Sequence, residues 1–270
     1  MPIRSVLRSP LRSVLRPTIG EGGGAYEAEA SALFARFTTP PTDTRKGQIN
    51  TLIKALKTAG VWTKLDALYL MAAADSQAAR QNWIADQYNL SAVSGPTFAA
   101  DQGYTGDASA AYLDTGFNPA TATSPKYLLN SASLAFWCRT NTIIAGYEAG
   151  NSTTTQLSAR SAQANTVRGR LSDGTLSNFG STTDARGLIA INRSASNARQ
   201  AYQNGASIGT DTAVSTGVTS TNLVFLSAGS GAGFGNRQVA FGAIGGSLGA
   251  TEQANLYAAI NTYLTAIGAA

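Results

Sequence analysis

The sequence predicts a mainly β chain, an antiparallel sandwich with a small helical unit before it and a helix after it, and three observations carry that prediction. Ala201-Tyr202-Gln203-Asn204-Gly205 sets Asn-Gly, a pair that tolerates positive φ at both central turn positions, between strand-like flanks, as a two-residue hairpin requires. Just upstream, Leu188-Ile189-Ala190-Ile191-Asn192-Arg193 is an apolar run of strand length. Downstream, Leu223-Val224-Phe225-Leu226 and Val239-Ala240-Phe241-Gly242-Ala243-Ile244 are too short for helices and are bounded by Gly, Ser and Asn. Strands at this spacing, with turn chemistry and no helical period between them, stack as two sheets.

Taken in order, the chain divides into residues 1–24, 25–64 and 65–270. The first segment repeats every four residues: Arg4, Arg8, Arg12 and Arg16 alternate with Leu7, Leu11 and Leu15, and Pro10 argues against one continuous helix. Gly20-Glu21-Gly22-Gly23-Gly24 then makes a flexible joint. From Ala25 to Phe37, Tyr26, Ala30, Leu33, Phe34 and Phe37 fall at helical spacing, and Thr38-Thr39-Pro40-Pro41 ends that helix. A second helix starts near Thr44, buries Ile49, Leu52, Ile53 and Leu56 on one face, turns Lys46, Lys54 and Lys57 to solvent, and stops at Gly60.

Leu68 to Met71 is the first sheet strand, and Ala72 to Trp83 is a short helix or loop that delivers Trp83 to the core. Ser94-Gly95-Pro96-Thr97-Phe98 reads as a turn and strand entry, and short strands follow as far as Leu248. Asn151 to Ser181 carries the weakest signal, with Leu157, Val167, Leu171 and Phe179 as its core contacts. The closing helix runs from Thr251 to Ile267, capped by Thr251, with Leu256, Ile260, Tyr263, Leu264 and Ile267 as its apolar stripe.

The order of strand, Tyr-x-Asn-Gly hairpin, apolar strand, Gly-rich turn, a last strand closing at Gly242-Ala243-Ile244-Gly245 and a helix resembles the concanavalin A-like, or laminin-G-like, jelly roll. It is most similar to the versions carried on phage and prophage virion proteins. Gly103-Tyr104-Thr105-Gly106-Asp107, Ala111-Tyr112-Leu113-Asp114-Thr115-Gly116-Phe117 and Ser133-Leu134-Ala135-Phe136-Trp137 fit the same pattern, so the resemblance spans roughly residues 90 to 268. It implies a jelly-roll sandwich for residues 65–270. It does not imply a ligand, because lectins, adhesion modules and glycoside hydrolases share the fold.

Composition narrows the chemistry. Among 270 residues only 13% are charged, so polar surface comes from Ser, Thr, Asn and Gln, as in exposed β-rich proteins and assembly subunits. There is no histidine, which removes His-dependent triads, His-ligated zinc and the usual proton shuttle. The single cysteine, Cys138, lies in a strand-like run and reads as a buried, inert thiol. Neither a membrane-spanning run nor a secretory leader is visible, so a soluble product of the bacterial cytoplasm, released by lysis or within a particle, is expected.

Most of the formal net charge of +5 comes from the four arginines of the arm. A bland basic tail and a nucleic-acid contact are weaker readings than a docking peptide, because regular leucines offer apolar anchors and regular arginines pair with carboxylates on a partner. Arg4, Leu7, Arg8, Leu11, Arg12, Leu15 and Arg16 are therefore the expected partner-docking residues, with neither nucleic acid nor membrane as partner.

Glycosidic cleavage needs two facing carboxylates. Asp101, Asp107, Asp114, Glu148, Asp173, Asp184, Asp211 and Glu252 are scattered, and Asp107 and Asp173 beside their glycines read as turn residues. No catalytic residue is assigned, although acids brought together from distant positions stay open at this point. Asp101, Asp107 or Asp114 would serve a rim calcium, but dense oxygen spacing is missing, so no metal or cofactor is expected. Ala228 to Gly235 lacks the Gly-Lys-Ser ending of a phosphate loop and reads as a flexible connection. Sugar binding would draw on Tyr104, Tyr147, Asn151, Asn178, Phe179, Asn236 and Arg237. The expected function is a non-enzymatic fibre, spike or decoration subunit of a tailed phage or phage-like particle, oligomeric, docked by its arm on other virion proteins and contacting host-surface polysaccharide. A capsule-degrading glycosidase and a ligand-free cement protein are the alternatives.

Overall fold

The computed structural model describes residues 25–270, so the arm and its expected docking residues Arg4, Leu7, Arg8, Leu11, Arg12, Leu15 and Arg16 lie outside the described residues. Two helices come first, α1 (Ala28–Phe34) and α2 (Asp43–Thr58). Fifteen strands follow: β1 (Leu65–Leu70), β2 (Ser91–Val93), β3 (Thr97–Ala99), β4 (Gly103–Thr105), β5 (Tyr112–Asp114), β6 (Ala132–Cys138), β7 (Ala149–Gly150), β8 (Gln156–Ser161), β9 (Thr166–Arg170), β10 (Ser177–Ser181), β11 (Gly187–Ala195), β12 (Ala198–Gln203), β13 (Ala206–Asp211), β14 (Val224–Phe225) and β15 (Gln238–Gly245). Helix α3 (Ala250–Ala266) closes the chain.

The strands form two antiparallel sheets, as expected. The first runs β13-β12-β11-β6-β15-β4-β3, with β1 also paired to β15, and the second runs β10-β9-β8-β7-β14-β5-β2. The period-2 alternation of side chains sorts each strand of the first sheet between two cores. Leu134, Phe136, Ile189 and Ile191 point inward and meet Leu113, Leu157, Val167, Phe179 and Phe225 of the second sheet. Ala135, Trp137, Leu188, Ala190 and Tyr202 point the other way, onto the apolar stripes of α2 and α3. Both faces of β6 are thus covered, which is why the whole strand is buried and why β6 and β11 read as continuous apolar runs.

The Asn204-Gly205 turn joins β12 to β13 with both residues at positive φ, 52° and 77°. A Cβ on Gly205 would lie 2.9 Å from Ala254 Cα and 3.0 Å from Tyr257 Cβ, so the hairpin tip is also a contact with α3. Trp83 is buried and packs edge-on against Tyr263 of α3, 6.0 Å between ring centroids. Leu157, Val167, Leu171 and Phe179 are core residues, as anticipated for the stretch of weakest signal.

Some boundaries differ, and the first strand, expected at Leu68 to Met71, is Leu65–Leu70. Helix α1 is shorter than the Ala25 to Phe37 span. Helix α2 begins at Asp43, with Thr42 Oγ1 accepting from Arg45 N–H at 3.3 Å. Thr251 does not cap α3: Gly249 is the N-cap, and Glu252 Oε2 reaches back to accept from Gly249 N–H at 2.7 Å. Part of the lysine face of α2 is paired rather than merely solvated, since Lys57 bonds Glu27 and Glu29 at 2.6 and 2.8 Å.

Candidate functional site

Two buried ionic clusters fix what the acids of the sandwich can do. Asp173, in the loop after β9, accepts from Arg193 Nη2 and Arg199 Nη1, each at 2.6 Å, and from Thr175 N–H at 2.6 Å. Arg193 spends its remaining donors on the carbonyls of Leu171, Ser196 and Ala213, while Arg199 also reaches Asp211 and lies over the Phe179 ring at 5.4 Å. The turn role anticipated for Asp173 is therefore joined by a larger one, as counter-charge for two arginines that are 0% and 1% exposed.

The second cluster pairs Glu148 with Arg237. Glu148 Oε1 accepts from Arg237 Nη1 at 2.6 Å, its Oε2 accepts from Ala159 N–H at 2.8 Å, and Arg237 also donates to the carbonyls of Thr142 and Arg160. Burial pushes the Glu148 carboxyl above the usual range against the pull of Arg237 and the Ala159 N–H. Cys138 is buried nearby, and desolvation, helped by the charge of Glu148, pushes its thiol up to about 12.

Among the described residues, Glu148 and Asp173 are the buried carboxylates, and both are held by guanidinium groups inside the protein. Asp107 is a turn acid, as expected, accepting from the N–H groups of Ser109, Ala110 and Ala111 at 2.8 Å each, and those bonds hold it well below the usual carboxylate range. Asp101 pairs with Arg45 at 2.9 Å. Asp114 accepts from Gly116 N–H and Asn222. No cluster of three metal-ligating acids or cysteines forms among the described residues.

The residues anticipated for sugar binding do not converge. Tyr104 and Phe179 are strand residues facing the core, each 2% exposed, so neither offers a ring face. Asn151 is buried because its Oδ1 closes the following turn, accepting from Thr154 and Thr155 N–H, and Arg237 is fully buried in its ion pair. Asn178 is exposed on β10, at the far edge strand of the second sheet. Tyr147 and Asn236 are brought to one rim.

That rim is built by backbone approach. Ala108 N–H donates to Gly235 O at 3.1 Å, and Tyr147 N–H donates to Gly233 O at 2.9 Å. Cβ atoms on Gly106 and Gly146 would lie 2.2 Å from Gly235 O and 2.1 Å from Phe234 O, so only glycine lets these loops close together. The loops gather Tyr112, Tyr147 and Phe234, all half-buried, with exposed Asn236 directly after them. Tyr112 and Phe234 sit 6.3 Å apart, centroid to centroid, at 40°. Half-exposed rings beside an amide suit stacking on the apolar face of a polar ligand. Tyr112 and Phe234 were not anticipated, and the one available signal was a lone aromatic inside a Gly-rich run.

No family description matches this sequence, and no curated protein matches it. Solved structures do. The chain is similar to Trypanosoma rangeli sialidase in complex with 2,3-difluoro-KDN, at TM-score 0.51 and 12% identity over 81% of this chain and 40% of that one. It is similar to the binding domain of botulinum neurotoxin serotype D, at TM-score 0.51 and 10% identity over 73% of this chain and 52% of that one. Domain 4 of AbnA, an extracellular arabinanase from Geobacillus stearothermophilus in complex with arabinotriose, matches at TM-score 0.46 and 13% identity over 72% and 98%. The likeness is one of fold. The chain spans less than half of the sialidase and about half of the toxin domain.

Proposed function

We propose that this chain is a non-catalytic attachment or assembly module, a fibre, spike or decoration subunit of a tailed phage or phage-like particle. In this reading residues 1–24 dock on other virion proteins, and the sandwich offers the rim of Tyr112, Tyr147, Phe234 and Asn236 to surface glycan. The observation that carries the non-catalytic reading is the occupation of Glu148 and Asp173 by Arg237, Arg193 and Arg199. Most glycosidases use one carboxyl as proton donor and a second as nucleophile or base, and Glu148 and Asp173, locked in buried ion pairs, serve as neither. The arm reading rests on the four-residue Arg and Leu repeat and the Gly joint.

Removing residues 1–20 tests the reading. The shortened chain stays folded but no longer incorporates into particles, whereas normal incorporation overturns the role of the arm. Incubating the intact chain with host polysaccharide yields no new reducing ends, and their appearance would make the protein a hydrolase.

A further inference from the structure

The outer face of the second sheet carries a polar row that no protein group completes. Leu157, Val167 and Phe179 face the core, so their neighbours Ser158, Arg168 and Asn178 project outward, and the register sets Arg168 opposite both Ser158 and Asn178. Side chains directly opposite stand roughly 5 Å apart at Cβ, so the three form one row across β8, β9 and β10. Among the described residues, Arg168 is the one arginine whose side chain makes no hydrogen bond. Its Nε is buried without a partner, and so are Ser158 Oγ, Thr166 Oγ1 and Arg170 Nε, which are four of the seven such side-chain atoms among the described residues. Orphaned polar atoms gathered on two neighbouring strands call for a partner from outside the chain.

The same face is positively charged. Arg168 and Arg170 flank Gly169 on β9 and project to one side, roughly 7 Å apart along the strand, where like charges repel. Arg170 donates Nη1 and Nη2 to the carbonyls of Gly174 and Ser152, at 3.1 and 2.8 Å, and Arg160, two residues past Ser158, bonds Asn165 and Asn141. None of these acceptors carries charge. Burial lowers the Arg170 guanidinium below its ordinary value, with Tyr147 and Asp173 pulling the other way and Arg168 adding to the lowering, so Arg168 and Tyr147 of the rim both lie within its electrostatic reach. The carboxylates of the adjoining strands and loops are committed: Glu148 to Arg237, Asp173 to Arg193 and Arg199, Asp211 to Arg199, and Asp184 to Arg186. Asp114 shares the face but stands four strands from Arg170, on β5, and the terminal residue Ala270 lies on the opposite, helix-covered side beside Trp137.

We propose that this face binds an acidic polysaccharide, with a sugar carboxylate on Arg168, Arg170 beside it supplying further charge, and Asn178 taking a neighbouring hydroxyl. An unbonded guanidinium flanked by hydroxyl and amide groups matches an acid group set among hydroxyls. Single-stranded nucleic acid is the weaker fit, because its sites stack bases on aromatic platforms and the row of Ser158, Arg168 and Asn178 holds none. The proposal rests on the glycan-facing reading above and adds the sign of the glycan's charge.

Isothermal titration of the full chain with sodium tetragalacturonate, with the methyl ester of the same oligomer and with oligothymidylate, each repeated on Arg168→Gln, tests this. Tetragalacturonate binds at least roughly tenfold more tightly than the ester, the value of one charge-assisted hydrogen bond, and Arg168→Gln removes most of that difference. Lys54→Gln, which removes an exposed charge on α2 instead, leaves the difference in place. Should Arg168→Gln fail to fold, Asn178→Ala on the exposed edge strand is used and weakens tetragalacturonate binding several-fold. Equal binding of acid and ester overturns the inference and leaves the glycan-facing reading standing, whereas binding of neither form contradicts both. Unchanged affinity in the folded variant overturns the inference. So does oligothymidylate that binds more tightly than tetragalacturonate and loses that affinity in Arg168→Gln, since the face would then be a nucleic-acid site.

Discussion

Arg237 and Glu148 form a fully buried ion pair, Nη1 to Oε1 at 2.6 Å, that ties the approach to β15 of the first sheet to the approach to β7 of the second. Removing one partner strands the other charge away from water, so Glu148→Ala or Arg237→Ala costs about 3–5 kcal/mol of stability. The double substitution Glu148→Leu with Arg237→Met recovers part of that loss, because an apolar pair leaves no buried charge, while Ala159 N–H and the Thr142 and Arg160 carbonyls lose those partners. Urea denaturation of the three variants measures this, and strictly additive losses would contradict it.

Gly205 meets two demands at once, a φ of 77° and contact with α3. Gly205→Ala therefore costs more than the about 1–2 kcal/mol of left-handed backbone alone. Gly116 is the comparison: its φ is 66°, yet a Cβ there meets nothing within 4 Å, so Gly116→Ala costs only the backbone strain. Equal melting temperatures for the two variants would show that the hairpin tip does not press on the helix.

Asp107 titrates below the ordinary carboxylate range because three backbone N–H groups bond its charged form. A depressed folded pKa contributes stability above the unfolded value, about 3.9, and that contribution is lost as pH falls through the folded one. Asp107→Asn keeps an acceptor for the turn but does not titrate, so the acid limb of stability against pH becomes shallower. An unchanged limb would show that the loop does not order around this carboxylate.

With its pKa pushed up to about 12 and no exposure, Cys138 is a thiol rather than a thiolate at neutral pH. A disulfide reagent leaves the native protein unmodified and reacts once it is unfolded. Rapid labelling under native conditions would contradict the packing of β6.

Legibility followed the range of the interactions. The hairpin was readable because Asn204 and Gly205 encode their own turn, and the stripes of α2 and α3 were readable because a helix repeats locally. The Glu148–Arg237 pair joins residues 89 apart and has no local signature, so Glu148 read as a scattered acid and Arg237 as a sugar-binding candidate. Tyr104 sits beside Gly and Thr and reads as a loop aromatic, and Phe179 reads both as a core contact and as a sugar-binding candidate, yet each lies on a short strand that turns it inward. The run from Ala228 to Gly235, read as a flexible connection, is a loop whose Gly233 and Gly235 carbonyls meet two other loops, and this gathers Tyr112, Tyr147 and Phe234.

We propose that a tethered sandwich serves attachment or assembly and breaks no bond. Immunogold labelling of purified particles with antibody to residues 25–270 tests it most directly. Regularly spaced label is expected on particles carrying the intact chain, and none on particles made with the chain lacking residues 1–20. Recovery of the intact protein wholly in the particle-free lysate would contradict it.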